Sequence, residues 1–298
     1  MRWFFVLALA ALLTASIVRR AETVDRSVSV PSRVTWSLAP GEGKALHVRT
    51  MVGNIAVVPG KQDQMEFVAT RRVRSAVRAE AKAFLHRMIV ERRMVGETWT
   101  IEARWPTRLP ADVESAAVDL EIRVPPGTVL VADTGVGNVD ARGSGPTRLH
   151  TGVGQVNARE VGGALDASTG AGDMKADGCA GRVEAQVGSG GIRVLRAVAA
   201  VKATTGAGDI EVAASPTNDA AVVDMQTGVG NLTLRLPKNS STRVEASTGV
   251  GTVEGWPGGI GRLNEGRTHL KAVLGAGKSS AQLHTGVGDI RLLLAPGG

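Results

Sequence analysis

Apolar and polar residues alternate along this chain with period two. At nearly constant intervals the alternation is interrupted by one glycine-bearing phrase. Its first clear copy is Thr134-Gly135-Val136-Gly137-Asn138-Val139, and further copies begin at Thr151, Thr169, Val187, Thr205, Thr227, Thr248 and Thr285. An isolated copy, Thr50-Met51-Val52-Gly53-Asn54-Ile55, stands far upstream. From Thr134 the steps are 17, 18, 18 and 18 residues, then 22, 21 and 37. Two residues before each phrase stand Ala132, Leu149, Ala167, Ala185, Ala203, Met225, Ala246 and Leu283; five after its start stand Val139, Val156, Met174, Ile192, Ile210, Leu232, Val253 and Ile290. Their neighbours are mostly polar, as in half-buried strands. Each unit therefore predicts two short strands with G-x-G as the bend between them.

Glycine is expected at that bend because a sharp reversal visits positive φ. The Asn or Asp that follows suits a turn, since its side chain can bond nearby backbone. A single unit cannot bury its apolar row, whereas stacked units share one core. The pattern predicts an all-β fold: a β-solenoid of two-strand units resembling a parallel β-helix. The alternative that the same alternation permits is an antiparallel sandwich of glycine-turned hairpins; the near-constant unit length favours the solenoid.

The period changes once. Val77, Ala81, Phe84, Leu85 and Met88 fall on one helical stripe. Strands are expected over Gln64–Val73, Ile89–Met94, Thr98–Arg104 and Val118–Val124. An α+β section thus covers 27–125 and the repeats fill 126–296. Residues 1–20 read as an export signal: Arg2, then the apolar run Trp3–Leu13, then the small residues Thr14-Ala15-Ser16. That run is short for a bilayer span, which takes roughly 20 residues. An exported protein of the bacterial envelope is expected, in the periplasm, on the surface or outside, cleaved or held by this segment.

The upstream copy, the strand-helix-strand insert, the strand ending in Val124-Pro125-Pro126-Gly127 and the serial T-G-x-G-[DN]-I phrases resemble the bacterial putative-adhesin family. That resemblance implies exported β-strand-repeat proteins containing a domain of unknown function, acting at the envelope. It brings no catalytic residue with it.

Composition changes the picture little. The chain has 298 residues with 38 Gly and no Tyr, which suits thin sheets better than a large enzyme core. Its one cysteine, Cys179, excludes an internal disulfide framework. The G-x-G phrases lack the helix that a dinucleotide fingerprint needs, and Leu274-Gly-Ala-Gly-Lys-Ser279 lacks the first glycine of a phosphate loop. Asp173, Asp209 and Asp289 look like pieces of calcium repeats, but those return every nine residues, and the position is elsewhere Asn138, Gln155, Gly191, Asn231 or Thr252. A turn-capping Asn/Asp ladder is the simpler reading. Asp166 and Glu184 occupy equivalent outward positions, about 5 Å apart if stacked, near the separation of about 5–5.5 Å in retaining glycosidases. The row continues through Arg148 and Lys202, so a cross-strand charge ladder accounts for both.

Two surfaces remain. Arg71, Arg72, Arg74 and Arg78 lead a basic segment that would meet an anionic membrane surface or envelope polymers. Asn218, Asn239 and Trp256 fall in the longer connections of the late units, where insertions in repeat proteins gather on one face, and would form a glycan platform. The reading is a non-enzymatic, adhesin-like scaffold for binding or assembly. It needs no cofactor, metal or nucleic acid, and its partners would be envelope glycans or polymers, anionic lipid, or further copies of itself. The alternatives are a polysaccharide-acting enzyme on a solenoid and a self-assembling structural element.

Overall fold

The computed structural model describes residues 28–38, 44–61, 64–214, 221–255, 262–265 and 267–295. The expected export segment, Asn218 and Trp256 lie outside them. The N-terminal section contains β1 (Val28–Leu38), β2 (Ala45–Val52), β3 (Ile55–Pro59), β4 (Met65–Ser75), α1 (Arg78–Arg87), β5 (Ile89–Val95), β6 (Thr98–Arg104) and β7 (Val113–Val124). The repeats follow as strand pairs: β8 (Val129–Val136) and β9 (Val139–Arg142), β10 (Thr147–Val153) and β11 (Val156–Arg159), β12 (Leu165–Ala171) and β13 (Met174–Asp177). Next come β14 (Val183–Ser189) and β15 (Ile192–Ala197), β16 (Val201–Ala207) and β17 (Ile210–Ala214), β18 (Val222–Val229) and β19 (Leu232–Pro237). The last are β20 (Thr242–Val250), β21 (Val253–Gly255), β22 (Arg262–Glu265), β23 (His269–Leu274), β24 (Ser279–Val287) and β25 (Ile290–Ala295).

Each pair is one coil of a flattened solenoid. Its first strand joins a back sheet and its second a front sheet. The back sheet runs β22-β23-β20-β24-β18-β16-β14-β12-β10-β8-β2-β6-β5, and the front sheet runs β1-β4-β7-β3-β9-β11-β13-β15-β17-β19-β25-β21. Successive coils pair in parallel and in phrase register: Thr134 opposes Thr151, Thr151 opposes Thr169, and Thr205 opposes Thr227. Antiparallel pairing is confined to the two ends. The sandwich alternative is therefore not the fold.

The inward rows make a single core. Leu130, Ala132, Val139, Leu149 and Val156 are fully buried, and the cluster continues from Leu46 to Leu292. A buried Leu or Ile contributes about 1.5–3 kcal/mol here, so the stack depends on neighbours covering neighbours.

The threonine that opens each phrase is buried as well, and its hydroxyl is satisfied by the preceding coil. Thr134 Oγ1 donates to the Gly53 carbonyl at 3.0 Å, Thr151 to Gly137 at 2.8 Å, and Thr205 to Gly190 at 3.0 Å. Thr227, Thr285 and Thr248 repeat the contact with Gly208, Gly230 and Gly288. Only a side chain with both a methyl and a hydroxyl fills this row while stitching one coil to the next.

The two glycines of the phrase are needed for different reasons, which corrects the expectation that both hold positive φ. Gly137 does, at 146°, and a Cβ there would lie 2.1 Å from the Gly53 carbonyl oxygen. Gly135 lies inside β8 without a positive φ, but a Cβ would come within 2.6 Å of the Met51 carbonyl oxygen. Close stacking of backbone on backbone excludes side chains there.

At both ends the order in space departs from the order in sequence. The upstream unit, β2 and β3, docks directly on β8 and β9. Beyond it β6 and β7 make an irregular coil, parallel to β2 and β3. Thr50 Oγ1 reaches the Val118 carbonyl at 3.4 Å, so β7 stands where a preceding coil would be. At the other end β24 and β25 insert between β18–β19 and β20–β21, and the step of 37 residues holds the antiparallel pair β22 and β23. α1 lies against β4 and β1 and buries Ala81, Phe84 and Leu85. Val77, expected on that stripe, precedes the helix and is 44% exposed; its N–H donates to Ser75 Oγ at 3.1 Å.

Candidate functional site

A second ladder runs outside the bend, on the residue after the second glycine. The Asn138 N–H donates to Asn54 Oδ1 at 2.9 Å, and the Gln155 N–H to Asn138 Oδ1 at 2.9 Å. Gly191 N–H bonds Asp173 Oδ1 at 2.9 Å, Asn231 N–H bonds Asp209 Oδ1 at 2.7 Å, and Asp289 N–H bonds Asn231 Oδ1 at 2.9 Å. β7 starts the series, with Asn54 N–H on Asp119 Oδ1 at 2.9 Å. Thr252 ends it: its N–H and Oγ1 donate to Asp289 Oδ1 at 2.8 and 3.0 Å, which holds that carboxyl below its ordinary range. The Asn/Asp preference is thus a bond between coils rather than a cap within one turn. Asp173, Asp209 and Asp289, the residues that imitate a calcium repeat, each spend Oδ1 on it.

The ladder breaks twice. Gln155 makes no such bond to the Asp173 N–H. Gly191 has no side chain, so among the described residues the Asp209 N–H meets no acceptor. A groove of about 520 Å³ lies over these breaks on the outer front sheet, along the coils that begin at Thr151, Thr169, Val187, Thr205, Thr227 and Thr285. At ordinary strand spacing that is about 24 Å.

Polar side chains at alternate strand positions line it. Lys175 and Arg193 are register partners, as are Arg193 and Glu211. Arg193 Nη2 sits 2.7 Å from a Glu211 carboxylate oxygen, and Arg235 Nε takes the other at 3.1 Å. Lys175 and Arg291, toward opposite ends, have no ion-pair partner among the described residues. The groove therefore offers an unpaired N–H, carboxylates and two cations outside any contact ion pair, which suits a ligand rich in hydroxyl and amide groups.

Asp173 and Asp209 line the groove, whereas the described residues proposed from sequence as ligand, surface or catalytic candidates lie elsewhere. Asn239 is exposed in the turn after β19 and does not line the groove. Arg71 on β4 donates from Nη1 to the Met88 and Leu85 carbonyls at 3.0 and 3.4 Å, capping the end of α1. Arg72 pairs with Asp119, Arg74 with Glu114 at 3.4 Å, and Arg78 is exposed in the first turn of α1. Asp166 and Glu184 do stand in register on the back sheet, where Arg148 and Arg182 hold them at 3.0 and 2.8 Å. Cys179 is buried, and burial pushes its thiol up to about 11. Among the described residues no group of three His, Cys, Asp or Glu is placed to hold a metal.

The stacked coils and their glycine bends define a solenoid of one recognised class. The chain belongs to the Toastrack DUF4097 family, whose sequence model matches residues 44–293. This is the family assignment that the repeat phrases led us to expect. Comparison with curated proteins gave no match. Similar solved structures include a putative adhesin from Bacteroides fragilis, 13% identical over 88% of this chain and 97% of that one, with a TM-score of 0.41. A putative cell adhesion protein from Clostridium sporogenes is 15% identical over 89% and 100%, with a TM-score of 0.32. A putative lipid binding protein from Parabacteroides distasonis is 9% identical over 90% and 95%, with a TM-score of 0.27.

Proposed function

We propose that this protein is a non-enzymatic, adhesin-like scaffold of the bacterial envelope that binds a linear polar polymer along the front sheet. One observation carries the reading: the groove lies where the outer ladder of coil-to-coil bonds is interrupted, at Gln155 and at Gly191. Its length suits an extended chain lying along the solenoid axis, and Lys175 and Arg291 line it near opposite ends, where they would meet polar or acidic groups. Export follows from the reading of residues 1–20.

Co-sedimentation of purified protein with insoluble envelope polysaccharide tests this. Wild type is expected in the pellet, and a Lys175→Glu, Arg291→Glu double variant should bind roughly tenfold more weakly, about 1.4 kcal/mol. Soluble sugar fragments accumulating with time would overturn the non-enzymatic reading. A tagged copy recovered in the cytoplasm would overturn the envelope assignment.

One feature favours a second role in assembly. β5 is an edge strand with Ile89 and Val95 exposed at 53% and 64%, and such edges accept further strands. Sedimentation velocity across a concentration series should show association that Val95→Lys removes; a single species at every concentration excludes it.

A further inference from the structure

Of the nine residues that follow the second glycine, six cap the next coil, Gln155 makes no rung, Thr252 ends the row, and Gly191 alone has no side chain to offer. At Gly191 the missing side chain leaves the Asp209 N–H without an acceptor, while the coil on the other side presents the Asp173 carboxylate. The opening thus has a donor on one wall and an acceptor on the opposite wall. A secondary amide carries the complement, because its C=O and N–H point in opposite directions. Backbone geometry does not demand glycine at this position. Gly191 has no positive φ, and a Cβ there would meet only the Asp209 carbonyl oxygen at 3.4 Å and Asp173 Oδ1 at 3.6 Å, ordinary contact distances.

The geometry points to an acetamido subsite at Gly191 that takes the N-acetyl group of an amino sugar within a glycan chain lying in the groove. The acetyl oxygen accepts from the Asp209 N–H and the amide N–H donates to Asp173, so the ligand supplies the missing rung. A glycan is favoured over an Asn side chain of a peptide because the groove extends far past one amide. Asn157, Lys175, Arg193 and Glu211 around the opening offer both donors and acceptors to ring hydroxyls. This deepens the polymer-binding reading and rests on it.

The test compares soluble oligomers of N-acetylglucosamine with cello-oligosaccharides of equal length, by calorimetry on the full chain. Wild type is expected to prefer the N-acetylated oligomer at least about tenfold. Gly191→Asn installs the residue found at Asn138 and Asn231, so it should raise Tm and bring both oligomers to the same affinity. Asp173→Asn keeps an Oδ1 for the Gly191 N–H but replaces the free acceptor by a donor, and should also erase the preference. Equal affinities in wild type, or a preference surviving in both variants, overturn the subsite. If wild type still pellets with envelope polymer in that case, the broader reading stands; if it binds neither probe, both fall. Stronger competition by N-acetyl-asparagine amide than by the sugar oligomer overturns the glycan assignment.

Discussion

At the scale of single residues the two glycine classes separate cleanly. Gly208 holds φ at 145°, and a Cβ would lie 2.1 Å from the Gly190 carbonyl. Gly208→Ala should therefore cost about 3 kcal/mol or more, since strained backbone and a backbone clash add. Gly191→Ala should stay within about 0.5 kcal/mol, since its Cβ would meet only ordinary contacts and its φ is unstrained. Urea unfolding of the two variants checks the pair, and equal losses would contradict the register. Val187 offers the reverse experiment. It occupies the buried row where the other coils place threonine. Val187→Thr should gain about 1 kcal/mol by bonding the Gly172 carbonyl, and Thr205→Val should lose a similar amount.

At the scale of elements, α1 covers apolar surface of β4 and β1 through Ala81, Phe84 and Leu85. Phe84→Ala should cost about 3–5 kcal/mol by opening a cavity, whereas Val77→Ala should be nearly silent because Val77 is largely exposed. Chemical denaturation of both variants separates buried from unburied members of the stripe. Strand existence was legible because period-two alternation is a local property: Thr98–Arg104 was expected residue for residue, and Val118–Val124 is the inner end of β7. The order of coils was not legible. The phrases at Thr248 and Thr285 present the same inward row, so either could dock on the Thr227 coil, and the choice rests on connections that carry no periodic signal. The groove was hidden for another reason. Trp256, Asn218 and Asn239 stand out in the sequence by the side chains they bear, whereas the break at Gly191 is made by a side chain that is absent. Its trace in the sequence is the pair of departures, Gln155 and Gly191, from the row Asn138, Asp173, Asp209 and Asn231.

Over the whole molecule, exposed ion pairs and rungs set the response to pH. The Arg104 hydrogen bond holds Glu102 low, the Lys271 hydrogen bond holds Glu245 low, and the Arg142 hydrogen bond holds Glu160 low. The Thr252 N–H does the same for Asp289. Each folded value lies below its unfolded one, so the stabilisation is complete above the ordinary carboxylate range and disappears as pH falls through the folded values. Tm should be level through neutral pH and decline below about pH 4. The decline should be gradual, since solvent screens each of these groups and none contributes much alone. A decline beginning near neutrality would point to other groups.

The crossed order at the two ends also constrains ancestry. A solenoid lengthens most simply by tandem duplication of one unit, but a coil added after Ala295 would have to continue from a strand enclosed between β19 and β21. A coil added before β2 would displace β6 and β7 from their places beside β2 and β3. Duplication is free only between β8 and β19, where four of the five steps keep their regular 17 or 18 residues. In this chain the zone open to growth is the middle of the stack. A second copy of residues 169–186 placed after residue 186 should yield a folded protein one coil longer.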